Sequence, residues 1–163
     1  MRYADGPVVE GSVHIAATPQ RVWEVVSDIH LMPALSSELQ SVEWLDEGTT
    51  AVGRAFRGRS SHPAAGEWST TSRIVCCEES RTFGWDVEDP QNPSASWRFE
   101  LTPSDGGTDL RQWARLGPGP SNLTTAIERM PEKEERIVAH RLREWQAGID
   151  ANLVAIKERA ENP

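Results

Sequence analysis

The sequence predicts an α+β domain in which a strongly curved seven-stranded antiparallel sheet grips one long C-terminal helix. Three observations carry this prediction. Six strand-like runs follow one another between residues 39 and 119, separated by only a few turn-forming residues. An apolar stripe at three- and four-residue steps runs through the C-terminal segment. Ahead of the six runs stand one alternating segment and short helical ones.

The alternating segment is "VVEGSVHIAAT", with Val9, Gly11, Val13 and Ile15 on one side. "TPQRVWEVVSD" follows with a helix start, Thr18 as N-cap and Pro19 at the first helical position. Val22, Val25 and Val26 form its apolar face, with Trp23 at the flank. "IHLMPALSSEL" reads as a second short helix broken around Pro33.

Then come "LQSVEWLDE", "GRAFRGRSSH", "EWSTTSRIVCCEES", "RTFGWDVED", "SASWRFELTPS" and "TDLRQWARLGPG". Separators such as "EGTT", "PAAG", "DPQNP" and "SDGG" are too short for crossover helices, so consecutive runs should pair as a meander. The first strand joins this sheet elsewhere. Beyond "RLGPGPS" lies "NLTTAIERM" and then a long segment with Val138, Leu142, Trp145, Ile149, Leu153 and Ile156 in one stripe. At ~1.5 Å per residue that helix is on the order of 40 Å long, and the curved sheet is its only available bed.

With 163 residues the chain is one domain, residues 1–163. Its net charge of −8 argues against general nucleic-acid binding and against adhesion to anionic membranes. No apolar run approaches the roughly 20 residues that span a bilayer, and "MRYADGPVVEG" carries no hydrophobic signal region, so a cytoplasmic location is expected. Cys76 and Cys77 are adjacent on a strand and point to opposite faces, which disfavours a disulfide between them.

The order of elements and four phrases resemble the START-like helix-grip superfamily, and within it the polyketide cyclase/dehydrase (SRPBCC) family. The phrases are "VHIAATPQRVWEVVSDIHLMPAL", "VGRAFRGRS" with "EWSTTSRIV", "WRFELTPSDGGTDLRQ" and "RLGPGPSNLTTAIERMPEKEERI". The resemblance implies a helix-grip fold enclosing a cavity. It implies no single reaction, since such proteins bind lipids, sterols, hormones or polyketides, and some act as cyclases, aromatases or hydrolases.

Alternation assigns the cavity walls. Phe56, Gly58 and Ser60 face inward on one strand, and Trp68, Thr70, Ser72 and Ile74 on the next. Phe83, Trp85 and Val87 follow, then Trp97, Phe99 and Leu101, then Leu110, Gln112 and Ala114. The opposite parity sends Arg57, Arg59, Arg73, Arg98 and Arg111 outward, which supports the register. Aromatic walls with a few hydroxyls and an amide suit a small-molecule site. Trp68, Trp85 and Trp97 are the indoles expected in the cavity, whereas Trp23 and Trp145 are expected in the core.

"RLGPGPS" is a poor phosphate cradle, because Pro118 and Pro120 lack N–H donors and no lysine follows. It reads as a stiff rim, with Ser121 capping the next helix and Leu123 and Ile127 as a lid. His14, His30, His62 and His140 show no metal-ligand spacing, so no metal and no cofactor are expected. His14 should face outward, His140 should neighbour Glu144, and His62 sits where it could reach a ligand. Cys76, in parity with Ile74, should be a small buried residue.

No nucleophile elbow or Cys–His pair is present, and the one tyrosine, Tyr3, falls outside the expected cavity. In related aromatases and cyclases, arginine, tyrosine, serine or asparagine groups orient the substrate. Here Arg141, beside the helix stripe, is the one arginine expected near the cavity, with pairing to Glu134 or Glu144 as the plainer alternative. The expected function is binding of a small hydrophobic or aromatic molecule, lipid or polyketide-like. The alternative is a metal-independent polyketide cyclase, aromatase or dehydratase acting by positioning and proton transfer. A third class is an interaction protein whose cavity is filled. The expected partner is a small hydrophobic ligand, with no nucleic acid and no membrane insertion, and a homodimer is open as an assembly.

Overall fold

Chain reversals at the turn-forming separators lay the six middle runs side by side. The computed structural model describes residues Met1–Pro163. Its strands are β1 (Val8–Ile15), β2 (Leu39–Trp44), β3 (Ala55–His62), β4 (Gly66–Glu78), β5 (Thr82–Val87), β6 (Ala95–Ser104) and β7 (Gly107–Leu116). Its helices are α1 (Pro19–Val26), α2 (Met32–Leu35), α3 (Asn122–Arg129) and α4 (Glu134–Glu161). The seven strands form one antiparallel sheet in the order β1-β7-β6-β5-β4-β3-β2, with β1 joining beside β7. No helix is long and apolar enough to cross a membrane.

Local chemistry sets the helix starts. The Thr18 side chain accepts the Arg21 backbone N–H at 3.2 Å, and Pro19 occupies the first turn of α1. Ser121 accepts from Leu123 N–H at 3.1 Å, while Thr124 Oγ1 accepts from the Ser121 N–H at 2.8 Å, capping α3 from both sides. Pro33 does not break a helix. It lies in the first turn of α2, after a 3-10 turn at Ile29–Leu31, where a missing N–H forfeits no intrahelical bond.

The register follows the alternation, with one exception. Phe56 pairs with Ser72, Gly58 with Thr70 and Ser60 with Trp68, all on the concave face. Trp85 pairs with Trp97, and Phe99 with Gln112. A bulge between Ile74 and Cys76 then flips the parity of β4, so Cys77 pairs with Phe83 and Cys76 with Gly84. Cys77, rather than Cys76, therefore packs against the core. Cys76 lies on the convex face near Arg98, and burial raises both thiol pKa values, keeping them protonated.

Three of the five outward arginines pair with carboxylates on the convex side. Arg57 meets Glu43, and Arg111 bridges Glu10 and Glu100. Arg98 folds back across Gly84 to bond Asp86 at 3.0 Å and the Trp85 and Trp97 carbonyls. A Cβ at Gly84 would come within 2.7 Å of the Trp97 carbonyl and collide with the Arg98 stem, so glycine makes that crossing feasible.

Helix α4 is seated on one side of the concave face, against β1 and β7. Close approach depends on Gly11 of β1, where a Cβ would stand 3.0 Å from Leu153 and 3.1 Å from Ile149. One core of 17 buried residues joins α1, the concave sheet face and the inner side of α4. A smaller cluster of Tyr3, Leu116 and Val138 lies under α3.

Candidate functional site

Because α4 rests on β1 and β7, the concave face of the middle strands is left partly uncovered. The residues there form a row of rings. Trp44 meets Phe56 edge-on at 5.9 Å, and Phe56 meets Trp85 at 6.0 Å. Trp85 and Trp97 stack at 6.4 Å with planes 15° apart, and Trp97 touches Trp145 of α4 at 4.8 Å. Trp85, Trp97, Trp145 and Trp68 are half-buried, unlike Phe56 and Phe99 beneath them. Trp85, Trp97 and Trp145 pack against the core and keep one edge in water. Trp145, expected in the core, thus contributes to this row as well.

The polar groups of the face divide by depth. Ser60 and Thr70 are half-buried, whereas Ser72 and Gln112 are buried. Gln112 is 2% exposed, and its Oε1 has no hydrogen-bond partner. The one other buried side-chain oxygen in that condition is Asn152 Oδ1 of α4, which sequence reasoning passed over. Its signal was an amide set among the apolar residues of the α4 stripe.

A charged network ties α4 to the β2–β3 side of the sheet. Arg141 binds Glu38, just ahead of β2, through two bonds of 2.7 and 2.8 Å, and reaches Glu144 at 3.2 Å. His62, at the end of β3, bonds Glu144 at 2.7 Å. Burial pushes the Glu144 carboxyl up, but the hydrogen bonds from His62 and Arg141, with the Arg141 charge, more than offset it and hold its pKa below the ordinary carboxylate value. Arg141 therefore takes the Glu144 partner foreseen for it, adds Glu38, and leaves Glu134 to Arg2. His140 does neighbour Glu144, at 3.9 Å, and His14 lies outward on Asp109.

Glu38, His62 and Glu144 place ligand atoms within 4.8 Å of one another, a spacing that raises the question of a metal. The histidine tautomer speaks against one. Ala64 donates its backbone N–H to His62 Nδ1 at 2.9 Å, so the neutral ring carries its proton on Nε2 and donates it to Glu144. A metal at Nε2 would have to displace that proton and the bond it makes. The same occupancy leaves His62 no free nitrogen to act as a base.

"RLGPGPS" runs along the β5–β6 connection. Gly117 and Gly119 donate their N–H groups to Ser94 and Pro93 carbonyls, each at 2.8 Å, tying the segment to the β5–β6 connection. A Cβ at Gly119 would overlap the Asn92 carbonyl oxygen, so the contact requires glycine. Tyr3 is buried behind this segment and donates to the Gly119 carbonyl at 2.6 Å, with Ser121 Oγ at 3.1 Å. Leu123 and Ile127 of α3 are half-buried against Tyr3, Leu116 and Val138, in the cluster that also takes Trp145.

Two open clefts lie on the surface beside α1. One of about 410 Å³ runs between Trp23, Glu24, Asp28, Trp44 and Glu79. The other, about 840 Å³, lies between Arg21, Leu35, Ala155 and Arg159. Both are surface troughs beside α1; the first reaches Trp44 at the end of the aromatic row, and neither includes Phe56, Trp85, Trp97 or Trp145.

A family model described as polyketide cyclase/dehydrase and lipid transport matches residues 7–161. The chain belongs to this family. Among solved structures, a polyketide-cyclase-like protein of Corynebacterium glutamicum is similar over 92% of this chain and 88% of its own, with 28% identity and a TM-score of 0.67. The Zhui aromatase/cyclase of Streptomyces sp. R1128 has 20% identity over 95% of this chain and 93% of its own, with a TM-score of 0.72. The di-domain ARO/CYC BexL from the BE-7585A biosynthetic pathway aligns 96% of this chain with 50% of its own length, at 16% identity and a TM-score of 0.70. These last two likenesses show the fold alone. No curated protein matches the chain.

Proposed function

We propose that this chain binds a small hydrophobic or aromatic molecule in the recess between the concave face of the sheet and α4. The observation that carries this is the row of half-buried indoles, Trp85, Trp97 and Trp145, on a face otherwise packed as core. Ser60, Trp68, Thr70 and Gln112 supply the side walls, Phe56, Ser72 and Phe99 the floor, and Leu123, Ile127 and Arg141 the rims. Family membership supports the same role, since the family description covers lipid transport as well as cyclisation.

The cyclase, aromatase or dehydratase alternative asks for a group that exchanges protons with a bound polyketone. The titratable groups at the rim are already bonded: His62 Nε2 meets Glu144, its Nδ1 accepts from the Ala64 backbone N–H, and Glu144 is held as a carboxylate. That balance favours binding over chemistry. A panel of polycyclic aromatics and fatty acids tests it by tryptophan quenching and thermal shift. A ligand at 100 times its Kd should stabilise the fold by about 2.7 kcal/mol and raise Tm by roughly 5–10 °C. A panel that yields neither quenching nor a shift sinks the proposal.

A further inference from the structure

The β3–β4 hairpin turns at Pro63, Ala64 and Ala65, between His62 and Gly66, which pair in register. Two amides of this turn donate to His62. Its backbone carbonyl takes the Ala65 N–H at 3.2 Å, and its ring nitrogen Nδ1 takes the Ala64 N–H at 2.9 Å. Pro63 has no N–H to add. Asparagine, aspartate or serine commonly holds a turn in this way, with an oxygen that stays an acceptor near neutral pH. Histidine does not, because both ring nitrogens become donors once the ring is charged.

A proton on Nδ1 would face the Ala64 N–H, two donors where one bond stood. One side has to give way. The ring is held, since Nε2 donates to Glu144 at 2.7 Å and that bond strengthens when the ring becomes a cation. The Glu38 carboxylate lies within 4.8 Å of the same group of atoms. From α4, Arg141 binds both carboxylates, and His140 stands 3.9 Å from Glu144. Glu67 of β4 is in register with Ser61 rather than with His62. The turn is not held in the same way. Pro63, Ala64, Ala65 and Gly66 are all exposed, so a freed Ala64 N–H passes to water.

We propose that His62 is a proton-operated latch on the β3–β4 turn: proton uptake at Nδ1 breaks the Ala64 bond and frees the tip of the hairpin, while Nε2 stays on Glu144 and keeps β3 tied to α4. The proton comes from solvent and returns to it, and Glu144 remains a carboxylate throughout. The latch uses no ligand and is independent of the binding role. Ser60 and Trp68, in register two residues inside the turn, set its tip beside the proposed recess.

The test follows the full chain by nuclear magnetic resonance between about pH 8 and 5, the range in which histidine side chains change charge. At the upper end Nδ1 of His62 should give the signal of an unprotonated acceptor nitrogen, and the Ala64 amide should be protected from hydrogen exchange. As Nδ1 gains its proton, Ala64 protection, taken against the unstructured rate at the same pH, should fall by roughly threefold to tenfold, the loss of one hydrogen bond. His62→Asn sets an oxygen that does not titrate in the place of Nδ1, so Ala64 should stay protected across the range. His62→Gln keeps a donor for Glu144 without the Nδ1 acceptor, so Ala64 should be unprotected at every pH. His140→Gln should leave the wild-type transition in place. A protonated Nδ1 at the upper pH, Ala64 protection that holds while the ring titrates, the same loss in His62→Asn, or its disappearance in His140→Gln overturns the inference. Each of these outcomes leaves the binding role to its own ligand panel.

Discussion

Replacing Arg141 with methionine keeps most of the side chain's length and removes the charge that ties α4 to the start of β2. Three hydrogen bonds are lost, of 2.7, 2.8 and 3.2 Å, and the Glu38 and Glu144 carboxylates are left facing each other without their cation. Bonds to charged groups contribute about 1.5–3 kcal/mol each when buried. Arg141 is 17% exposed and its partners 29% and 28%, so water takes up part of the loss. A net destabilisation of about 2–3 kcal/mol is expected, which in a domain of this size lowers Tm by roughly 5–10 °C.

The pH dependence follows from Glu144, whose folded pKa is depressed. A depressed carboxylate contributes stability above its unfolded pKa, about 4.3, and loses it as pH falls through the folded value. The difference between wild type and Arg141→Met should therefore be full at neutral pH and fade on acidification. Thermal melts across pH, with Glu38→Gln closing a double-mutant cycle, measure both effects. Melting temperatures within about 1 °C of each other at neutral pH, or a gap that widens in acid, would refute the reasoning.

Tyr3→Phe strips the donor from the Gly119 carbonyl in a buried setting, and should cost about 1–2 kcal/mol in a denaturant or thermal melt. Burial raises the Tyr3 pKa, so its contribution is present below the unfolded value of about 10 and lost as pH rises through the folded one; the variant should lack this alkaline phase. Gly148 lies exposed within α4, with open space where a Cβ would stand, so Gly148→Ala should stabilise by about 1 kcal/mol. A loss of stability there would show that the position serves a contact absent from the free chain.

Much of the sheet was legible because its information is local. Turn residues mark every reversal, and the arginines sort to one parity on β3, β4, β6 and β7. The bulge in β4 was not, because "IVCC" is apolar at both parities and alternation carries no signal there. The aromatic row was legible except for Trp44, which no inner-face assignment included, and Trp145, whose place on the helix stripe is compatible with core and recess alike. The rim network was hidden for another reason: Glu38 and Arg141 are 103 positions apart, and only the completed fold brings them together. Tyr3 is the extreme case, since its acceptors are backbone carbonyls, identical in every residue. Asn152 was readable in principle, as the polar interruption of an apolar stripe.

The off-centre seat of α4 has a mechanical consequence. Along β1 the helix is cemented by packed aliphatic carbons, but toward β2 and β3 it is joined by side-chain tethers, Arg141 to Glu38 and Glu144 to His62. The sheet is thus a spring leaf clamped along one edge and guyed at the other. Side-chain torsions can lengthen a guy by an ångström or two while the clamped edge stays still. Ligands of unequal thickness should then be accommodated by paying out the tethers, and differences in rim spacing between bound forms should concentrate at Glu38 and His62, leaving Gly11 against Leu153 as the fixed hinge line.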